Sequence, residues 1–552
     1  MEFIQHAPPL DNQYTGDRVL RGWLDANLPR AIHDAIASDL DALGAHAASA
    51  WDEARQRPAA EPVLTQWDAW GRRIDRIDCT PVWRRGAGLA ARFGLVASGH
   101  EPRHGEYARC DQFARVYLHH VASEFFTCPL AMSDGAATAL KASANQDLID
   151  RAVPRLLSRD ARTLWLSGQW MTETAGGSDV GHTATIARRD EAGEWRLHGR
   201  KWFTSAVIGE MALTLAKVEG GDGLDLFLVE TRLADGAWNG IRIDRFKHKL
   251  GTRELPTAEI RLDGSRAHAV ADGGAGNGVR LIAPMLNVTR VWNAVCALAT
   301  MRRCIALAVD YARWRQAFGK PIIEHSLHAA TLADMQAEFE AAFHLVFHVA
   351  HLLGRSESAV GDPRERALLR LLTPLTKLWT ARVAVAIASE TCEAFGGAGY
   401  IEDTGIPLLL RDAQVYPIWE GTTNVLALDA LRAIASNGLE PLIESARTLL
   451  DPTADAPGDT SDDAPRAIRA ALEQAAAWLR GNQNDAATLQ AGARGLAITL
   501  SRTFAAALLH RHAANMRAQR ETRPRLALAR FIAHGLDRLE RGDAASAAAL
   551  FD

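Results

Sequence analysis

The chain predicts an α+β protein, mostly α, with a helical N-terminal domain, a central antiparallel β-domain, a helical bundle and an additional helical extension. Three observations carry this. Ala-rich runs with 3–4 spacing, such as IHDAIASDLDALGAHAASAW, recur from residue 29 to 160 and again from 278 to 438. Between 161 and 277 the period shortens, and EWRLHGRKWFTS, ALTLAKV, LDLFLVE and AEIRLDG alternate between Gly and Asp turns. Finally, DPTADAPGDTSDDAP at 451–465 holds five Asp, three Pro and no basic residue, which marks a solvated linker before a last helical unit.

In order, residues 1–28 read as an irregular arm punctuated by Pro and Asn. The helical N-terminal domain follows at 29–160, the β-domain at 161–277 and the helical bundle at 278–438. The acidic linker runs over 439–465, and a tethered helical extension fills 466–552. The cluster DGGAGNG at 272–278 reads as the turn out of the β-domain.

At 552 residues there is ample core for a large enzyme, and a net charge of −4 predicts neither a nucleic-acid nor a membrane partner for the whole chain. Six cysteines without CxxC spacing fit reduced thiols and a cytoplasmic setting. The opening MEFIQHAPPLDNQY lacks the basic and apolar pattern of a leader, and no uninterrupted apolar run reaches the length of a membrane span.

The most informative segment is RDAQVYPIWEGTTN, residues 411–424. It sets one carboxylate, Glu420, between the Trp419 indole and the small-residue turn Gly421, Thr422, Thr423. A carboxylate against apolar surface loses hydration and becomes a better base near neutral pH. The glycine admits a phosphate or flat ring, and the hydroxyls can donate to it.

Four other strings qualify. QWMTETAGGSDV, residues 169–180, offers Met171, Thr172, Gly176, Gly177 and Ser178 as a nest for phosphate or a ring carbonyl; alone it is equally a Gly-rich hairpin turn. KWFTS, 201–205, gives the planar faces of Trp202 and Phe203 and the hydroxyls of Thr204 and Ser205, or else ordinary β-core aromatics. In YARWRQAFGKPI, 311–322, Arg315 suits pyrophosphate, Phe318 is a stacking surface and Gly319 a helix stop; a solvated arginine before a cap reads the same. ETCEAFGGAGY, 390–400, opens the backbone at Gly396, Gly397 and Gly399.

Together these strings resemble the acyl-CoA dehydrogenase family of flavoenzymes, whose usual forms MTEPxAGSD, WFxS, RxxFG, QxxGGxG and YEGT stand here as MTETAGGSD, WFTS, RQAFG, EAFGGAG and WEGT. The arm and the C-terminal extension resemble the alkylation-response, AidB-type branch. Departures are Thr174 for the usual Pro, Glu393 for Gln, and Ser326 for a frequent Gln.

The resemblance implies the acyl-CoA dehydrogenase fold with its C-terminal four-helix bundle, FAD, a homotetramer, and an electron-transferring flavoprotein as acceptor. It makes Glu420 the base that takes the α-proton of an acyl-CoA while the β-hydrogen leaves as hydride to flavin N5, giving a trans-2-enoyl-CoA. The backbone N–H of Glu420 and the flavin ribose then stabilise the enolate oxygen. It further implies that Met171, Thr172, Gly177 and Ser178 contact the ring and pyrophosphate. Trp202 and Phe203 pack on the isoalloxazine, and Thr204 or Ser205 bonds near N5 or O4. Arg315 and Phe318 reach the FAD of a neighbouring subunit. Glu393, Gly396 and Gly397 line the adenine side, with Gly421, Thr422 and Asn424 on pyrophosphate and ribose. Arg290 and Ser178 serve the substrate. Thr289, where some branches hold the base, cannot serve.

Two other patterns are weighed. His344, His348 and His351 share a helical face without a carboxylate or thiol to complete a metal set, and read as packed or interface histidines. From 501 to 530 seven arginines face one acid, a local balance of 7 − 1 = +6. Arg511, Arg517, Arg520, Arg523 and Arg525 are the candidate duplex-DNA patch of an alternative function, with weak dehydrogenase activity; otherwise they form a solvated face.

Overall fold

The computed structural model describes residues 7–56, 60–221, 223–271, 276–451, 463–517, 520–539 and 550–551. Residues 452–462 of the predicted linker, residues 272–275 of the glycine cluster, and the first six residues lie outside these. The chain forms two compact units: Gln56–Glu101 with His119–Trp292, and Met1–Arg55 with Pro102–Leu118 and Asn293–Asp552. The predicted N-terminal helical domain is therefore divided between them.

The helices before the sheet are α1 (Arg18–Asn27), α2 (Arg30–Arg55), α3 (Pro81–Phe93), α4 (Ala108–His120), α5 (Thr127–Ser143) and α6 (Gln146–Leu156). The predicted arm contains a helix. Asp17 caps α1 by accepting from Val19 and Leu20 N–H at 2.9 and 3.1 Å, and Val19, Leu20, Trp23 and Leu24 form its buried face. The helical reading of 29–160 also missed a hairpin, β1 (Val63–Trp67) and β2 (Arg73–Asp78), whose RIDRID alternates with period two.

The β-domain strands are β3 (Ser167–Trp170), β4 (Ile186–Arg189), β5 (Trp195–Ser205), β6 (Met211–Val218), β7 (Leu224–Glu230), β8 (Ile241–Phe246) and β9 (Thr257–Ala269). They pair in the order β3-β6-β4-β5-β9-β7, β8 joins β9, and β6 also pairs β7, so the sheet closes on itself. It is mixed rather than purely antiparallel, since β3–β6 and β4–β6 run parallel. The long connections from β3 and β4 to β6 permit this. Trp170, Leu197, Phe227, Ile243 and Ile260 fill the interior. The β1–β2 hairpin is fastened to β8: Gln66 Nε2 donates to Ile243 O at 2.8 Å, and Asp75 Oδ2 accepts from Ile243 N–H at 3.1 Å.

The other unit is helical: α7 (Gly278–Trp314), whose residues from Asn293 onward belong here, α8 (Ser326–Glu357), α9 (Pro363–Ala394), α10 (Ile406–Ala413), α11 (Thr423–Asn437), α12 (Glu440–Leu450), α13 (Asp463–Asn482), α14 (Ala486–Arg517) and α15 (Arg523–Ala533), with β10 (Gln316–Ala317) and β11 (Lys320–Pro321) between α7 and α8. The stretch taken as the start of the linker is α12. The extension is not tethered but packed: α14 is buried along its middle and lies against α8, α9, α11 and α12. Arg502 holds Glu338 with two bonds of 2.8 and 3.0 Å, and Ser501 donates to Leu375 O.

Helices α7 and α9 are long and apolar enough to cross a membrane, yet 67% and 83% of their apolar windows are buried within the protein, as in core helices.

Candidate active site

In the β-unit, the segment 169–180 and strand β5 are locked side by side. Trp202 N–H donates to Thr172 O at 2.9 Å. Glu173 and Lys201, both buried, form an ion pair at 2.7 Å. Glu173 also accepts from Ala184 N–H and the Thr185 hydroxyl, and Lys201 donates to Leu215 O. Burial pushes the Glu173 carboxyl up, but the Lys201 charge and these donors outweigh it and hold it below its ordinary value. Neither residue was singled out from sequence. The signal was there: period two along β5 puts Lys201 on the interior face of Leu197, where a lysine requires an acid.

On this frame Met171 is buried, Thr172 is half-buried, and Gly177 and Ser178 are exposed. A Cβ on Gly177 would lie 2.8 Å from Thr172 Oγ1, so glycine lets the loop fold over that hydroxyl without displacing it. Phe203 is half exposed and Trp202 partly so. Thr204 is fully buried and its hydroxyl donates to Ala258 O at 2.6 Å, while Ser205 Oγ shares a 3.2 Å contact with Thr257 Oγ1. Arg290 lies within α7, and the Thr289 hydroxyl donates to Met285 O and Leu286 O at 3.1 Å.

In the helical unit, Glu420 is half-buried and adopts φ +59°, followed by Gly421 at φ +96°. A non-glycine residue in the left-handed region is held there by its surroundings. Here the holders are identifiable. Fully buried Lys377 of α9 donates to Gly421 O at 2.6 Å. Tyr416 is bolted to α7 by the 2.7 Å contact of its hydroxyl with Thr300 and by Asn293, which donates to Tyr416 O. Thr422 then caps α11 by accepting from Val425 N–H, leaving Asn424 exposed on the first turn. The turn is thus set by three helices.

Arg315 follows the end of α7, and Phe318 is 97% exposed. Gly319 is not a helix stop: Phe318 at φ +51° and Gly319 at φ +83° form the two-residue turn between β10 and β11. Glu393 is exposed near the end of α9, and Gly396 and Gly397 lie in a 3-10 turn where an added Cβ would meet nothing within 4 Å. Gly399 differs, because a Cβ there would strike Cys392 O at 2.0 Å. The first two glycines leave backbone open to a ligand, and the third serves packing.

The three helix-face histidines diverge. His344 lies 4.3 Å from the His512 ring, His348 packs on Phe504 and His351 stacks on Tyr107. Two of the five DNA-candidate arginines are committed inside the fold. Arg511 donates to carbonyls at the end of α12, and Arg523 pairs with buried Glu340. Arg517, Arg520 and Arg525 are exposed.

Four family descriptions match the chain: adaptive response protein AidB N-terminal domain over 7–161, acyl-CoA dehydrogenase middle domain over 168–265, acyl-CoA dehydrogenase C-terminal domain over 276–435, and acyl-CoA dehydrogenase 11 C-terminal domain-like over 448–543. The chain is 40% identical over 537 residues to acyl-CoA dehydrogenase family member 11 of Caenorhabditis elegans, covering 93% of this chain and 86% of that protein. It is 34% identical over 383 residues to AidB of Escherichia coli (strain K12), covering 68% and 69%. The solved structure of Caenorhabditis elegans ACDH-11 in complex with C11-CoA matches with a TM-score of 0.92 at 38% identity, over 98% of this chain and 94% of that one. A structure described as the Bd2924 apo-form matches at 0.84 and 41%, over 93% and 100%. The protein belongs to the acyl-CoA dehydrogenase family of FAD-dependent oxidoreductases, with the N-terminal domain of AidB.

Proposed function

We propose that this protein dehydrogenates an acyl-CoA thioester between its α and β carbons, with Glu420 as the group that accepts the α-proton. The observation that carries this is the Glu420–Gly421 turn, two consecutive left-handed residues braced by Lys377. Such strain persists only where the surroundings over-determine it, and it clusters at reacting groups. The C11-CoA complex of the relative ACDH-11 supports the substrate class.

The residues of each unit fit FAD: in the β-unit a loop that folds at Gly177 close over the Thr172 hydroxyl, and an indole at Trp202; in the helical unit open backbone at Gly396 and Gly397. In the β-unit, Thr172, Ser178 and Trp202 are proposed to hold it; in the helical unit, Gly396, Thr422 and Asn424 are proposed cofactor residues by the family resemblance, and Arg315 is proposed to reach the FAD of a neighbouring subunit. When bound, FAD supplies the two-electron acceptor for the β-hydrogen. The chain supplies the rest. Glu420 takes the proton, and, by the family resemblance, its own N–H donates to the thioester oxygen as charge develops there. Thr289, spent on helix carbonyls, is no alternative base.

An electron-transferring flavoprotein as acceptor and a homotetramer follow from the family. Exposed Trp314, Phe318 and Leu327 around the β10–β11 turn support self-association. The six free cysteines support a reducing, cytoplasmic setting. The duplex-DNA reading now rests on exposed Arg517, Arg520 and Arg525. Its test is salt-sensitive retention of duplex DNA by the full chain, lost in R520A/R525A.

For the dehydrogenase reading, Glu420→Gln should retain FAD yet lose α-proton/deuterium exchange and flavin bleaching across a panel of acyl-CoAs. Bleaching at the unaltered rate would remove Glu420 from the chemistry.

A further inference from the structure

We propose that Lys247 is a positioning residue for the flavin, acting through Trp202: its ammonium backs one indole face, leaving the other to meet the ring, and adds a fixed positive charge behind it. The inference rests on the FAD reading above and deepens it.

Lys247 follows β8 directly, and its backbone N–H donates to Thr257 O at 2.8 Å, which fixes where its side chain starts. Its Nζ stands 3.2 Å from the Trp202 ring centroid and 4.7 Å from that of Phe203. The two rings are perpendicular, so one ammonium serves both faces of the corner they make. A cation over a desolvated indole face is strongly attracted by the ring quadrupole, and tryptophan is the best such acceptor.

The ammonium does not wander. Glu259 of β9 accepts from it at 2.8 Å, and only 9% of the Lys247 side chain and 4% of the Glu259 side chain is exposed. Arg245 holds the same carboxylate oxygen at 2.7 Å. Replacing Lys247 therefore leaves Glu259 paired, and the substitution isolates the contact with the indole. Lys247, Glu259 and Arg245 lie outside the strings that carried the family resemblance.

Two consequences follow. An indole with one face occupied can stack a ligand only on the other, so Lys247 selects which side of Trp202 receives the ring. A two-electron-reduced flavin gains negative charge, and a poorly solvated cation nearby favours that state. Lys247 should therefore raise the flavin midpoint potential as well as tighten binding.

The test uses full-length protein. Apoprotein is titrated with FAD by flavin fluorescence, and the midpoint potential of the holoprotein is read against redox dyes. K247M should fold, bind FAD roughly 5-fold or more weakly, and show a lower potential; K247R should stay near the parent. Parent affinity and potential in K247M would overturn the proposal. Should K247M fail to fold, E259Q, which loosens the anchor and keeps the ammonium, takes its place, and an unshifted potential there overturns it equally. A parent protein that takes up no FAD at all removes the cofactor reading instead.

Discussion

Each unit carries a turn with candidate chemistry that a fully buried lysine braces, but the two lysines are used differently. Lys201 in the β-unit meets a carboxylate, Glu173, at 2.7 Å, and that carboxylate is further tied to Thr185 and Ala184. The charges compensate, and the result is a frame on which Thr172 and Trp202 sit. Lys377 in the helical unit meets a backbone carbonyl, Gly421 O, beside two left-handed residues. There the positive charge lies near the turn of Glu420. The first arrangement builds a rigid frame for the proposed binding face; the second holds the proposed base in a conformation it would not choose.

The largest effect should separate these roles. Lys201→Met leaves Glu173 buried without its counter-charge and should cost about 3–5 kcal/mol of unfolding free energy, read by urea titration. Adding Glu173→Gln should recover much of that, because the hydroxyl and amide donors still have an acceptor. Failure of the double variant to recover would mean that the pair matters through more than charge.

Acid should draw on buried histidines first and on the Glu173 pair later. Burial pushes His348 and His512 in the helical unit down to about 4, helped by His351 and Arg523 respectively. Their folded values lie below the ordinary 6.5, so the unfolded chain takes up protons first as pH falls. Their contribution is whole above about 6.5 and is lost between there and about 4, on the order of 3 kcal/mol apiece at full shift. Glu173, held low, gives stability that is present above its ordinary 4.5 and is lost only as pH drops further. Melting followed from pH 7 to 5 should thus show the loss from these two histidines together with that of His268 in the β-unit, which burial also holds down, and His348→Phe should flatten the slope. An unchanged slope would mean these rings are protonated in the folded protein.

Next in size is Lys377→Met. It leaves a buried carbonyl without that donor, worth about 1–3 kcal/mol, while relaxing the turn beneath Glu420. We expect α-deuterium exchange of an acyl-CoA to slow far more than stability falls. Proportionate losses would make Lys377 a packing residue only.

How legible was this from sequence? The class of each element was legible because periodicity reports buried faces directly, and the motif strings located both turns. The α1 helix was hidden because its apolar face is only four residues long, between Pro- and Asn-rich stretches. The β1–β2 hairpin was hidden inside flanking helical pattern. The packing of α14 was hidden because its buried surface mixes Ala and Leu with Thr, Ser, Arg and His, which reads as a partly solvated helix until Arg502 is seen against Glu338. At the site, Glu420 was legible from its neighbours. Lys377 was not, since nothing local marks a lysine whose partner lies 44 residues onward.

The smallest effect distinguishes glycines kept for fold from glycines kept for a ligand. In the β-unit, a methyl at Gly177 must displace the Thr172 hydroxyl, 2.8 Å away. Gly177→Ala should cost about 1 kcal/mol through off-rotamer adjustment and weaken FAD binding by moving Thr172, a proposed contact residue. In the helical unit, a methyl at Gly397 meets nothing within 4 Å, and the backbone there is not left-handed. Gly397→Ala should therefore be neutral or stabilise by about 0.4–1 kcal/mol through the unfolded chain. Its FAD affinity should nonetheless fall, because the methyl fills space a ligand would use. Thermal melts with and without FAD measure both quantities on one sample. Gly397→Ala with raised apo-stability and parent FAD affinity would strip that turn of its binding role while leaving the β-unit face intact.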